Sequence, residues 1–354
     1  MNFLFLCSSR QWGGNEKWMH MAANALAERH KVVVAYRRDV IGERYNLPKY
    51  KLPFVNEFDI VSLAKIISIV RNERIRILIP TKRKDYVLAG LAAQFTGAKN
   101  VLRLGIVRQV KNSIYDNFVY NKLADGIIVN ADAIKKILLR VPYLHSEKIR
   151  VIHNGLDIGK LESATKGSLP KQGFSVCALG RLSEVKDFGC ILRGFAHFVK
   201  AAQAPQARLF IIGDGPERGR LEKQAVALSI ENQVTFTGFL ENPYIYLEQS
   251  SVVVSMSRNE GISNAVLEGK YLHNIPVSTK AGGAEEVIAD GENGFLIESG
   301  NAEQLGEILQ KIYKMENTAE TANRAHEKVR TMFSMEKMIG EMEAFCEEIL
   351  VSEK

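Results

Sequence analysis

Residues 251–270 read S-V-V-V-S-M-S-R-N-E-G-I-S-N-A-V-L-E-G-K. Val252, Val253 and Val254 make a β-branched run of strand length. A short polar loop with Gly261 follows. Ser263 then suits the N-cap of a helix, because its side-chain oxygen can accept from a free backbone N–H. Strand, loop and helix in that order are half of a βαβ unit.

The same alternation extends outward in both directions. Apolar runs fall at 2–7, 31–36, 75–80, 100–104, 126–130 and 150–153 in the first half. They fall at 174–179, 208–213, 233–237, 251–255, 276–279 and 294–297 in the second. Amphipathic segments at 15–28, 60–71, 187–200 and 217–228 lie between them, and 335–352 reads as one more such helix. Alternation of this kind predicts an α/β protein with parallel sheets and helices on both faces. A length of 354 residues exceeds the usual single core. The expectation is therefore two doubly wound, Rossmann-like domains in series, facing each other across a cleft. The join falls within 155–172, where turn-formers and charges replace any periodic pattern. Domains of 1–165 and 166–334 follow, with the terminal helix at 335–354 packing back on the first. Open sheets bind ligands beyond the carboxyl ends of their strands, so motifs at those ends carry the functional reading.

Composition narrows the class. Hydrophobic residues make up 46% and charged residues 25%, ordinary globular values. No apolar run reaches the length of a membrane span. The start of the chain lacks a basic region and reads as a first strand, not a signal peptide. The four cysteines, Cys7, Cys177, Cys190 and Cys346, show no paired spacing and read as reduced thiols of a cytoplasmic protein. Net charge is +7, unevenly spread. Residues 1–170 hold 28 basic and 14 acidic side chains, a net of +14, and the remaining 19 basic and 26 acidic ones give −7. The first half thus attracts an anion: a phosphorylated acceptor, an anionic membrane surface or nucleic acid. A solvated basic surface fits the count as well. No nucleic-acid module and no alternation of aromatic and basic residues supports the last partner.

Four stretches can carry chemistry. In 258–270, Gly261 permits close approach of a ligand to the backbone. The helix start beyond it offers N–H donors and the positive end of the dipole to a phosphate. Glu260 precedes the helix and Glu268 lies inside it, so the two carboxylates can take hydroxyls from different parts of one ligand. Spacing alone fits equally a capped helix with two solvated acids. In 180–187, G-R-L-S-E-V-K-D, Arg181 and Lys186 leave a strand end where two cations can neutralise a diphosphate leaving group; two plain surface cations fit equally. Gly13 and Gly14, between the first strand and first helix, can cradle a phosphate. Gly213 and Gly215 read as a tight loop beside a nucleotide. Neither glycine set matches the dinucleotide fingerprint G-x-G-x-x-G, which argues against an oxidoreductase.

In order and spacing, G-G at 13–14, V-I-H-N-G-L-D at 151–157, G-R-L-S-E-V-K-D at 180–187, I-I-G-D-G-P-E at 211–217, F-T-G-F at 236–239, E-x7-E at 260–268 and A-G-G-A-E-E-V-I at 281–288 resemble family-four retaining glycosyltransferases of the GT-B fold. The resemblance covers nearly the whole chain. It implies transfer of a hexose-type sugar from a UDP-, GDP- or ADP-linked donor to a glycan or glycolipid acceptor, in cell-surface polysaccharide or lipopolysaccharide synthesis. It implies no metal and no cofactor beyond the nucleotide-sugar, and a cytoplasmic enzyme that can be peripheral on the inner membrane face. Glu268 would bind the ribose, Glu260 the transferred sugar, and Arg181 and Lys186 the diphosphate. Backbone N–H groups of Gly14, Gly261, Ile262, Ser263 and Asn264 would cradle phosphate or sugar, and Phe239 and Leu240 would lie along the base. The chain departs from many relatives in one respect: neither 80–85 nor 103–105 contains a histidine. Lys82, Arg83, Lys84, Arg103, Arg108 and Lys111 instead form an expected basic group for an anionic acceptor or lipid headgroup. A GT-B epimerase or hydrolase is the alternative, with Asp85 the one obvious carboxylate base in the first half.

Overall fold

The computed structural model describes residues 1–107, 109–166 and 173–351. The chain divides into two compact units, Met1–Gly155 with Met335–Lys354, and Leu156–Ser334.

The first unit holds β1 Asn2–Cys7, β2 Lys31–Tyr36, β3 Lys49–Lys51, β4 Ile77–Pro80, β5 Lys99–Leu104, β6 Gly126–Val129 and β7 Ile149–Val151. They form one parallel sheet in the order β3-β2-β1-β4-β5-β6-β7. Successive residues of β1 go to opposite faces. Phe3 and Phe5 join one buried cluster and Leu4 and Leu6 another. Burial on both faces is why these strands read as unbroken apolar runs. The terminal helix, Met335–Val351, sets Met338, Ile339, Met342 and Phe345 into the cluster that contains Phe3 and Phe5. A Cβ on Gly126 would lie 2.5 Å from Ile349, so the glycine admits this helix against β6.

The second unit holds β8 Ser175–Leu179, β9 Arg208–Ile212, β10 Val234–Gly238, β11 Val252–Ser255, β12 Ile275–Thr279 and β13 Phe295–Ile297. Its parallel order is β10-β9-β8-β11-β12-β13. The core sits where Val176, Leu209, Val252 and Val254 meet Phe195 and Phe198 of the helix Phe188–Ala202 and Leu305 and Leu309 of the helix Ala302–Lys314.

Two expectations need correcting. The stretch 155–172 is not an unpatterned linker. Asp157 caps a helix, Ile158–Thr165, by accepting from the Lys160 N–H. That helix belongs to the second unit: Tyr271 Oη donates to Glu162 at 2.7 Å and Asn242 Nδ2 to the Ala164 carbonyl at 3.2 Å. The division therefore falls at Gly155–Leu156, not at 165–166; residues 167–172 lie outside the described residues. The strand β3 was also not anticipated. It is a short edge strand, K-Y-K, exposed throughout, with no apolar signal to mark it.

Both sheets reverse their strand order once, between β1 and β4 and between β8 and β11. At such a switch point the two following loops diverge and leave a crevice at the strands' carboxyl ends. In the second unit those loops are 180–187 and 256–263.

Candidate active site

The two loops at the second switch point are joined at several places. The loop after β8 ends in a turn, Glu184–Lys186, and Asp187 then takes a left-handed conformation (φ 47°) and caps the helix Phe188–Ala202 through the Cys190 N–H. The loop after β11 runs beside it. The Arg258 N–H donates to the Val185 carbonyl at 2.9 Å, and the Arg258 guanidinium donates twice to Asp187 Oδ2, at 2.7 and 3.1 Å. Between these ties, Lys186 Nζ donates to Glu260 Oε1 at 2.6 Å. The cation and the acid, 74 residues apart in sequence, form one ion pair at the crevice.

Glu260 is only one-fifth exposed (19%), and its other oxygen, Oε2, is buried with no hydrogen-bond partner among the described residues. A buried acceptor without a donor is costly unless a ligand supplies one. The backbone under Glu260 is held from below. Gly282 has φ +59°, and a Cβ there would lie 1.6 Å from the Glu260 carbonyl oxygen. The Gly283 N–H donates to the Gly261 carbonyl at 2.8 Å. The pair Gly282–Gly283 is thus the floor of the Glu260 loop. The N–H groups of Gly261, Ile262 and Ser263 take no acceptor among the described residues. Ser263 occupies the N-cap position as anticipated, but its side chain makes no capping bond.

Glu268 sits in the helix Asn264–Tyr271 and is 3% exposed. The reading of two solvated acids is therefore excluded. Two residues on, Lys270 is fully buried and donates to the Val287 carbonyl at 2.6 Å. Burial, with Lys328 adding repulsion, pushes its pKa down to about 7. This lysine was missed from the sequence. It ties the helix that bears Glu268 to the short helix Ala284–Val287 that follows Gly282–Gly283.

Arg181 is exposed and its side chain has no partner among the described residues. Phe239 is 55% exposed at the end of β10, with Leu240 half-buried beside it. Gly213 and Gly215 lie close against the chain's own backbone. Cβ atoms there would lie 1.9 Å from the Gly180 carbonyl oxygen and 2.3 Å from that of Leu182, so both glycines seat the loop that carries Arg181.

In the first unit the expected basic group does not assemble. Lys82 pairs with the buried Glu16 at 2.7 Å, and Arg83 with Asp116 at 2.7 Å. Arg103 is buried over the Trp18 ring at 4.3 Å and donates to Asn15 and Asn154, and burial pushes its pKa down to about 10. Lys84 Nζ donates to the Phe54 carbonyl at 2.8 Å. Lys111 is exposed, and its backbone N–H donates to Asp116. Arg108 lies outside the described residues. Reversing Lys82 and Arg83 would therefore set new carboxylates against Glu16 and Asp116, and so disturb the fold. Gly13 is the N-cap of the helix Gly14–Ala27, with Gly14 open on all sides. The Glu16 carboxylate lies 3.1 Å from where a Gly13 Cβ would be, and weakens any phosphate cradle there. Asp85 is fully buried, accepts the Ser8 N–H at 2.9 Å, and has its pKa pushed up to about 6 by burial. All four cysteines are buried and unpaired in disulfides.

Known proteins resemble this chain over nearly its whole length. Residues 12–160 match the Glycosyltransferase Family 4 model and residues 160–332 the Glycosyl transferases group 1 model. The lipopolysaccharide core biosynthesis glycosyltransferase LpsE of Rhizobium meliloti is 27% identical over 92% of this chain and 93% of that protein. The capsular polysaccharide biosynthesis glycosyltransferase CapM of Staphylococcus aureus is 22% identical over 81% and 80%. Among solved structures, Anabaena Alr3699/HepE in complex with UDP superposes with a TM-score of 0.82 at 21% identity, over 98% of this chain and 100% of that one. The two family models divide nearly the whole chain between them, and the fold is that of GT-B enzymes. The chain therefore belongs to the family-four glycosyltransferases.

Proposed function

We propose that this glycosyltransferase moves a hexose-type sugar from a nucleotide-sugar to a glycan or glycolipid acceptor of the cell surface, with retention at the anomeric carbon and without a metal. The observation that carries the reading is the Lys186–Glu260 pair at the second switch point, with Glu260 Oε2 buried and unpartnered. A donor supplies what each group lacks. Sugar hydroxyls can donate to Glu260 Oε2, and the free N–H groups of 261–263 can meet phosphate or sugar oxygens. Lys186 and the unpaired Arg181 offset the charge that grows on the departing diphosphate. Glu268, held in a buried helix, takes the ribose hydroxyls, and exposed Phe239 offers a face to the base.

In the step we favour, the bond from the anomeric carbon to the diphosphate oxygen breaks and a bond to the acceptor oxygen forms on the same face. The acceptor proton passes to the leaving phosphate oxygen. Relatives named for lipopolysaccharide and capsular synthesis support the acceptor class. No helix among the described residues is long and apolar enough to cross a membrane.

A donor screen tests this reading. UDP-, GDP- and ADP-hexoses are supplied in turn, and released nucleotide is followed with and without EDTA. At least one donor should turn over, unchanged by the chelator, and proton NMR of the product should show the donor's anomeric configuration. Loss of turnover in EDTA would overturn the metal-independent step, and an inverted product would overturn front-face transfer.

A further inference from the structure

The cations that the sequence marked in the first unit are largely consumed by partners, but another set is not. The carboxyl ends of β3, β2 and β1, adjacent in the sheet, carry Lys51, then Arg37 and Arg38, then Arg10. Lys84 stands at the start of the helix after β4, the next strand along. Arg37, Arg38 and Lys51 line one open pocket of about 360 Å³, closed on its apolar side by Leu52 and Pro53. That size lies within the range of small-molecule sites. Arg10 and Arg37 lie near enough to Lys84 to depress its pKa further, after burial itself.

Charge balance sets this pocket apart. Arg10, Arg37 and Arg38 have no side-chain partner among the described residues. Lys51 has one, Asp39 at 2.6 Å. Lys84 donates to a backbone carbonyl and makes no ion pair among the described residues; Asp85 and, more weakly, Asp59 act on its charge against Arg37 and Arg10. Like charges gathered at a sheet's carboxyl ends repel one another until an anion enters, and forked guanidinium groups suit a phosphate.

We propose that this pocket is a phosphate-binding site, and that its ligand is the phosphate carried by the acceptor of the transfer. The second clause rests on the glycosyl-transfer reading; the phosphate site does not. Glycerol phosphate is the probe, titrated calorimetrically at low ionic strength into the whole protein, with and without saturating UDP to occupy the donor site. Binding should persist in the presence of UDP and weaken at least tenfold in the Arg37→Gln/Arg38→Gln protein, while its melting temperature and UDP affinity stay unchanged. Equal binding by that variant, or binding that UDP abolishes, would overturn the proposal, as would no binding at all. Vesicles of phosphatidylglycerol, against phosphatidylcholine controls, separate the sources. Sedimentation of the wild type alone with the anionic vesicles assigns the phosphate to a lipid headgroup. Glycerol phosphate binding without vesicle binding assigns it to a phosphorylated glycan. Donor turnover by the variant reports separately on the glycosyl-transfer reading.

Discussion

Glu260→Gln should lower kcat about 100-fold, the scale seen when one preorganised electrostatic group is removed from a transition state. The amide keeps the shape but loses the charge that accepts from Lys186 Nζ and, through Oε2, from a sugar hydroxyl. Its effect on nucleotide affinity should be small and of opposite sign. With Glu260 neutral, the Lys186 ammonium is released from its pair and faces the diphosphate with full charge. UDP should therefore bind as in the wild type or slightly tighter, within about threefold, or roughly 0.6 kcal/mol. Steady-state kinetics beside a UDP titration decide it. A fall in UDP affinity that matched the fall in kcat would mean that Glu260 holds the nucleotide and not the sugar.

Gly282→Ala should be as damaging, by a different route. The methyl would lie 1.6 Å from the Glu260 carbonyl oxygen and 2.9 Å from that of Gly261, both backbone atoms that cannot swing aside. The left-handed φ of +59° adds about 1 kcal/mol or more for a residue with a side chain. The loop must rise off its floor and carry Glu260 away from Lys186. A displacement on the order of 1 Å in a positioned group can cost about 100-fold in rate. Gly291→Ala is the control. It has φ +79° and nothing within 4 Å of the added carbon, so it bears the backbone cost without the clash. Gly291→Ala should retain near-wild-type kcat with a slightly lower melting temperature, and Gly282→Ala should lose at least 100-fold. Equal losses in both would show that backbone strain, not contact with the Glu260 loop, sets the effect.

The residues differ in how far they disclosed these roles beforehand. Runs such as Val252–Ser255 and Asn2–Cys7 disclosed strands because burial on both faces demands unbroken apolar sequence. Lys49–Lys51 disclosed nothing, since an exposed edge strand is held by backbone pairing alone. The helix Ile158–Thr165 escaped because it is short and contains Gly159. In the site, E-x7-E was visible as spacing, but only packing distinguishes a 3%-exposed Glu268 from a solvated one. The basic group failed for a related reason. Lys82, Arg83 and Lys84 are neighbours in sequence, and their partners, Glu16, Asp116 and the Phe54 carbonyl, come from elsewhere in the unit. Nothing in the local sequence marks Arg37 and Arg38, and only the sheet order sets them beside Lys51 and Arg10. Gly213 and Gly215 read as a tight loop, and the reason only packing discloses is that the chain's own backbone lies where their side chains would be.

The division of labour between the two glutamates is the centre of this account, and paired titrations test it most directly. UDP and the turned-over UDP-, GDP- or ADP-hexose, with its own nucleotide in place of UDP where required, are titrated into wild type, Glu260→Gln and Glu268→Gln. Glu268→Gln should weaken the free nucleotide by about 10-fold or more, as expected for losing a charged hydrogen bond of roughly 1.5–3 kcal/mol. Glu260→Gln should hold the nucleotide and lose only the affinity that the sugar adds. Equal loss of nucleotide affinity in both variants would contradict the assignment of Glu260 to the sugar and Glu268 to the ribose.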